Sequence, residues 1–461
     1  MLAGALAGCA TREEPAADAG PRFETVVQDD ALLLHRPREL PRTIRTLKAL
    51  GVGRVRINAT WSQIAPEPES LRRPDFDASD PGDYDPRAWV NLDRAVKAVT
   101  EGGMRPMVDV AFYAPRWAVL GAAGGRPPYR GLPDPEQFAL FAKALARRYP
   151  QVRLWTTWNE PNHPEFMRPQ WRGGVPVAAH HYRRMHELAY EAIKGVSGEN
   201  RVLVGGLTSI GDAGEGPTSA IRPLRFVREM ACVDDRLRPL KRPECRDFEP
   251  LKADGFAHHP YMHRRPPDQS LPDPDSVGMA DLGRLSKLLT ALTERGRIER
   301  RLDVYVTEFG YETEPPDPRR GIAPLVQAAY LQQAVAEALA RPDVRMQAQF
   351  LLRDLPDDRL YQTGLQQPDG RPKPALLSFP VSFAVRRGTG LGLVRPGRGQ
   401  RRVCVEHRRA DGSWTEVGRP TATDSDGTLR RPGLGPGTYR LRWDRPRQPP
   451  AYSLPTRADQ G

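Results

Sequence analysis

The 461-residue chain holds no unbroken apolar run of about 18 residues, the length a bilayer demands of a helix, so no mature spanning segment is expected. Cysteine and histidine nowhere share the spacing of a structural zinc site, and no metal is called for on that ground. The glycine-rich Gly-x-Gly-x-x-Gly turn that cradles a dinucleotide is missing after the first apolar strand pattern. No nucleic-acid-binding signature accompanies the formal net charge of +12, so no nucleic acid is expected as partner. That charge, 69 basic against 57 acidic residues, is carried mostly by arginine and belongs to a solvated surface. Such a surface would also be drawn to anions, which makes acidic or envelope polymers a first guess for what it meets.

Only four cysteines are present. Cys9 follows Leu6-Ala7-Gly8 and resembles the lipobox cysteine of bacterial lipoproteins, which is lipidated after signal removal. No basic n-region precedes it and the apolar stretch is short for a signal, as if translation started upstream of Met1. The expectation is an extracytoplasmic protein, secreted or tethered to the membrane through Cys9, with no protein partner implied. Cys232 and Cys245 share one proline- and charge-rich loop and would form a disulfide there in an exported protein. Cys404 sits in an alternating pattern and reads as a buried thiol.

The 41 glycines and 48 prolines crowd into loops such as Pro266-Pro267 and Pro315-Pro316, as on a rigid scaffold that carries its sites on its connections. Between these loops strand and helix patterns alternate. Short apolar runs over residues 23–29, 54–60, 105–112, 152–159, 201–208, 255–261, 303–309 and 345–352 read as buried parallel strands. Helical periodicity fills the gaps over residues 40–50, 87–100, 135–149, 177–194, 219–230, 279–293, 324–340 and 374–383. Eight strands each followed by a helix point to an α/β fold, a (β/α)8 TIM barrel; an open doubly wound sheet is the competitor. Later strand patterns at 402–407, 414–417 and 438–443, separated by Asp-Gly and Gly-Pro-Gly turns, read as a small C-terminal antiparallel β domain. Trp414 and Trp443 could stack on sugars there, although such rings more often fill cores. The expected organisation is a signal remnant and tether at 1–20, the barrel at 21–385, the β domain at 386–445, and a disordered tail at 446–461.

The chemistry-bearing residues fall at strand ends, where a barrel of this kind builds its sites. The fourth strand ends in Asn159-Glu160-Pro161 and the seventh in Glu308-Phe309-Gly310. Strands four and seven face each other across the mouth of an eight-strand barrel, so Glu160 and Glu308 would meet across one cleft. Two such carboxyls can act on a glycosidic bond, one as proton donor and the other as nucleophile.

Asn159-Glu160-Pro161 together with Thr307-Glu308-Phe309-Gly310 resembles the acid/base and nucleophile pair of glycoside hydrolase clan A, with families 39 and 5 the most alike. The similarity covers about Phe23 to Phe383. It implies a glycosidase in which Glu160 is the general acid/base, Glu308 the nucleophile, and Asn159 a contact of the sugar 2-hydroxyl. His259 and Tyr261 match the clan's His-x-Tyr pattern, implying that the tyrosine hydroxyl holds the nucleophile in its charged form. Arg56, with Asn58 and Trp61 just after it, resembles the clan's arginine beneath the nucleophile, whose charge would lower the pKa of Glu308. The eighth strand lacks the clan's tryptophan and the third its histidine. Gln349, Tyr113, Trp117 and Trp155 are the available replacements, and Trp61, Trp117 and Gln349 are taken as substrate-binding with Arg56, Asn159, His259 and Tyr261. Double displacement on a carbohydrate substrate would need no metal or organic cofactor, since two carboxylates and water suffice. Two alternatives stand beside it: a non-catalytic glycan-binding lipoprotein on the same scaffold, and a transglycosylase using the same residues.

Overall fold

Eight parallel strands follow one another around a closed barrel: β1 Glu24–Gln28, β2 Arg54–Thr60, β3 Arg105–Ala111, β4 Leu154–Thr157, β5 Arg201–Thr208, β6 Gly255–His259, β7 Val304–Val306 and β8 Val344–Phe350. The computed structural model describes residues 23–121, 127–357, 361–395, 399–445 and 447–458. Closure comes from β1 pairing with β8 in the register Gln28↔Phe350, which excludes the open sheet. Cys9 and the tether expected at 1–20 lie outside the described residues.

The principal connecting helices are Leu40–Ala49, Pro86–Glu101, Pro135–Arg148, Val177–Val196, Pro223–Met230, Leu282–Glu294, Pro324–Leu339 and Pro374–Ser378. Their starts are written in the sequence. Proline opens five of them, where its missing N–H costs nothing, and Asp85 and Asp134 cap two by accepting backbone N–H groups. The helix Pro86–Glu101 buries Trp89, Leu92, Val96 and Val99, three or four residues apart, on one stripe against the barrel wall.

Side chains alternate along each strand, so every second residue fills the barrel interior. Val26, Met107, Leu154, Leu203, Tyr305 and Met346 do so. Strand β2 places arginines there instead. Arg54 closes the lower end against Glu24, Nε to Oε2 at 2.6 Å. Arg56, two residues further on the same face, therefore stands beneath the mouth.

The helix expected over 374–383 ends at Ser378, and strand β9 Val381–Arg386 follows Pro380, which cannot supply the N–H that continues a helix. The expected boundary at 385/386 thus falls inside a hairpin, because β9 pairs with β10 Thr389–Val394. With β14 Thr428–Arg431 these form a three-stranded sheet. A second sheet is built on β11 Arg402–Arg408 and β15 Gly437–Trp443, with β12 Trp414–Glu416 and β13 Thr421–Ala422 along the outer side of β11. Phe383, Leu429, Val405 and Leu441 close the core between them. Trp443 is part of that core and offers no sugar platform, and half-buried Trp414 has one face under the Arg440 guanidinium at 4.2 Å. The expected disordered tail is corrected over its described residues, 447–458, where Ala451–Tyr452 and Thr456–Ala458 add to β15 as strands. Composition hid them because their order comes from partners: Ser453 Oγ accepts Leu441 N at 2.9 Å, and Leu454 bonds the Gln332 side chain through both backbone groups. Cys232 and Cys245 are joined as a disulfide, with Cα atoms 5.7 Å apart, and Cys404 is a buried free thiol.

Candidate active site

The chain leaves β4 under strain. Trp158 and Glu160 both lie in the left-handed region, at φ 68° and 39°, which costs an L-residue on the order of 1–3 kcal/mol. Two backbone bonds hold the turn: Trp158 N donates to Val110 O and Glu160 N to Gly206 O, each at 2.9 Å. Gly206 belongs to an irregularity in β5, where its φ is 64° and that of Gly205 is 108°. A Cβ on Gly205 would meet Ala257 O at 2.5 Å, so the bulge that presents Gly206 O needs glycine. Its effect is to turn Glu160 into the barrel mouth.

Glu308 follows β7 and is 8% exposed. The buried Arg56 guanidinium bonds Glu308 Oε1 and Gln28 Oε1 through Nη1. Its Nη2 bonds Asp109 Oδ2 and Asn159 Oδ1, each at 3.0 Å. Tyr261 donates its hydroxyl to Glu308 Oε2 at 3.2 Å. Burial pushes the Glu308 carboxyl up, but the charges of His259 and Arg56 and the bonds from Arg56 and Tyr261 outweigh it and hold the pKa below the usual carboxylate value.

His259 Nδ1 lies 3.1 Å from Glu160 Oε1 and 3.7 Å from Glu308 Oε2, between the two acids. Oxygen atoms of the two carboxylates and that nitrogen all lie within 4.8 Å of one another. The trio has donors that could hold a cation, yet Arg56 already places a positive charge on Glu308. Its neighbour His258 belongs to the framework: its Nε2 lies 2.8 Å from Val277 O, and burial pushes its pKa down to about 3.

The two glutamates line a cavity of about 540 Å³, with Asn159 and Tyr261 beside them. Three expected substrate contacts are elsewhere. Trp61 is 1% exposed and stacks on Phe141 at 5.7 Å, because the short helix Trp61–Ile64 turns its ring away from the mouth. Trp117 packs edge-on against Trp61 at 6.1 Å and donates to Pro66 O, on the outer side of the same aromatic cluster. Gln349 faces outward from β8 and spends its amide on the carbonyls of Phe350, Leu351 and Thr363. Trp155 is fully buried in the barrel wall, whereas Tyr113 does line the cavity.

Gln28, Asp30, Asp109, Phe350 and Tyr361 join the site beyond the residues expected there. Asp30 lines the cavity at the end of β1; burial raises its pKa against bonds from Asn58 N and Gln28 Nε2. Asp109 stands on β3 where the clan's histidine was sought, and burial raises it to about 6 despite Arg56 and Thr156. Phe350 and Tyr361 meet edge to face at 5.1 Å on the wall where a tryptophan was missed. On the Glu160 side, Phe112, Tyr113 and Phe166 form a second aromatic wall, braced where Tyr113 Oη and Arg130 both donate to Glu165.

Residues 22–229 match the model of the cellulase family, glycosyl hydrolase family 5. No curated protein matches the chain. Among solved structures, a family 39 glycoside hydrolase from the gut symbiont Bacteroides cellulosilyticus superposes with a TM-score of 0.53 at 17% identity, over 89% of this chain and 79% of that one. A family 1 β-glucosidase from Thermotoga maritima gives 0.47 at 15% identity, over 74% and 84%. At such identities the structural likeness is one of fold. With its closed barrel and a matched segment just under half its length, the chain is similar to the clan A glycoside hydrolases, and this likeness supports a glycosidase.

Proposed function

We propose that the protein hydrolyses an O-glycosidic bond with retention of configuration, using Glu160 as acid/base and Glu308 as nucleophile. The observation that carries this reading is that an oxygen of Glu160 and an oxygen of Glu308 lie within 4.8 Å of each other across one cavity. Retaining enzymes hold the pair at about 5–5.5 Å, whereas inverting ones leave about 6.5–9.5 Å for a water molecule. In the first step Glu160 gives its proton to the glycosidic oxygen. The bond from that oxygen to the anomeric carbon breaks, and Glu308 closes on the carbon as an ester. Water then attacks the same carbon, loses its proton to Glu160 and releases Glu308. His259 and Arg56 steady the two carboxylates while charge moves between them. Glu160→Ala should lose most turnover on poor leaving groups and recover part of it with azide on an activated aryl glycoside; no rescue counts against the acid/base role.

The sugar at the reaction centre is uncharged in this reading. Among the described residues the cleft lining is acidic: it includes Asp30, Glu160, Glu165, Glu308 and Glu312, with Arg320 the one arginine. A uronate carboxylate there would face like charges at close range. Neutral aryl hexosides should therefore be turned over and the matching hexuronides not; the reverse preference would refute this part alone.

An extracytoplasmic location, with a lipid tether at Cys9, completes the proposal. The Cys232–Cys245 disulfide suits an oxidising compartment. The mass of the N-terminal peptide from membrane fractions tests it: an unlipidated Cys9 removes the tether.

A further inference from the structure

Away from the cleft, Arg395 is buried at the seam between the barrel and the β domain and is 5% exposed. A buried guanidinium is ordinarily matched by a carboxylate, because taking an ion out of water costs several kcal/mol unless a counter-charge offsets it. No acidic side chain forms an ion pair with Arg395 among the described residues. Its hydrogen bonds go to neutral oxygens: Nε to Thr25 Oγ1 at 2.8 Å, and Nη1 to Phe379 O at 2.6 Å and Ser382 Oγ at 3.0 Å. The Phe379 ring lies 4.4 Å from its Cζ, which offsets part of the charge but supplies no anion. Burial lowers the Arg395 pKa to about 9, so the group stays charged at neutral pH.

Beside this guanidinium is a small cavity of about 20 Å³, lined by Arg395, Thr25, Gln347, Ser382 and residues of the helix Pro324–Leu339. It has room for one small occupant and none for a side chain. Among the described residues Arg395 Nη2 makes no hydrogen bond, and neither does the Gln347 amide. The Gln347 Oε1 is buried there without a partner, and a half-turn about the last side-chain bond presents Nε2 in its place. The Thr25 and Ser382 hydroxyls already accept from Arg395, which leaves their own protons free to donate. A water molecule would fill the space without neutralising the charge; an anion does both.

We propose that this cavity is a structural binding site for a small monovalent anion, chloride in ordinary solution, which pins the β domain to the barrel. It joins β1 and β8 through Thr25 and Gln347 to β9 through Ser382, so its occupant couples elements from both ends of the chain. This is independent of the cleft chemistry.

The test is thermal unfolding of the full chain in sodium chloride and in sodium gluconate at equal ionic strength. Chloride at well above its dissociation constant should raise the midpoint by on the order of 3 °C over gluconate, since a ligand that binds only the folded state stabilises it by mass action. Arg395→Met should abolish the difference while melting no lower than wild type in gluconate. Equal midpoints of the wild type in the two salts overturn the proposal, as does a difference that survives in Arg395→Met. Should the variant not fold, a crystal grown in bromide decides. An anomalous peak within hydrogen-bond distance of Arg395 Nη2 supports the site, and a water molecule or a carboxylate in that position refutes it.

Discussion

Replacing Tyr261 with phenylalanine removes one hydrogen bond from the proposed nucleophile and little else. The ring can keep its place, stacked on Phe309 at 6.4 Å and edge-on to Phe350 at 6.5 Å. The lost bond runs from the hydroxyl to Glu308 Oε2 at 3.2 Å, long for a hydroxyl meeting a carboxylate. Hydrogen bonds to charged groups contribute about 1.5–3 kcal/mol, and this length argues for the lower end, about 1.5 kcal/mol. At about 1.36 kcal/mol per pKa unit, the Glu308 pKa should rise by roughly one unit, since the bond favours the charged form. Arg56 remains in place, so Glu308 stays ionised at neutral pH. The acidic limb of kcat/KM against pH on an activated aryl glycoside should therefore move up by about one unit, with the alkaline limb unmoved. Stability follows the same sign. The depressed pKa of Glu308 contributes stability above its unfolded value, and that contribution is lost as pH falls through the folded value. The variant should then melt below wild type near pH 7 and converge with it in acid. An acidic limb that stays put, or moves down, would refute the role given to Tyr261.

Asp109→Asn should leave that limb nearly where it is. Asp109, raised by burial to about 6, is already protonated where Glu308, held below the usual carboxylate value, titrates; a pH–rate profile measures it, and a shift as large as that of the tyrosine variant would contradict the assignment. Trp61→Ala should lower stability by about 3–5 kcal/mol in denaturant unfolding, as for a large ring removed from a core, while KM at a permissive temperature stays within about twofold. A large rise in KM without loss of stability would return Trp61 to the substrate.

The barrel was legible because its strands are short apolar runs between turn residues, and because proline and aspartate mark the helix starts. Glu160 and Glu308 were legible for the same reason, since a residue just beyond a parallel strand has only the mouth to enter. What stayed hidden depends on facing. On β8, Met346 and Ala348 fill the interior, so the period of two sends Phe350 to the mouth and Gln349 outward, a facing that follows once the interior face is known. Trp61 could not be placed from its position, because the helix that begins at it turns the ring onto Phe138 and Phe141 from a distant helix. Tyr361 reaches the cavity from a loop with no periodicity to announce it. Asp109 shows its character only once Arg56 is seen beside it, and Arg395 only once its missing counter-charge is.

The most direct test is covalent trapping with neutral 2-deoxy-2-fluoro glycosides of several configurations, each bearing a good leaving group, followed by proteolysis and mass spectrometry. One of them should inactivate the enzyme and leave a single sugar on the peptide that contains Glu308. A sugar found on Glu160, or turnover of ordinary substrate with inversion at the anomeric carbon, would contradict the account.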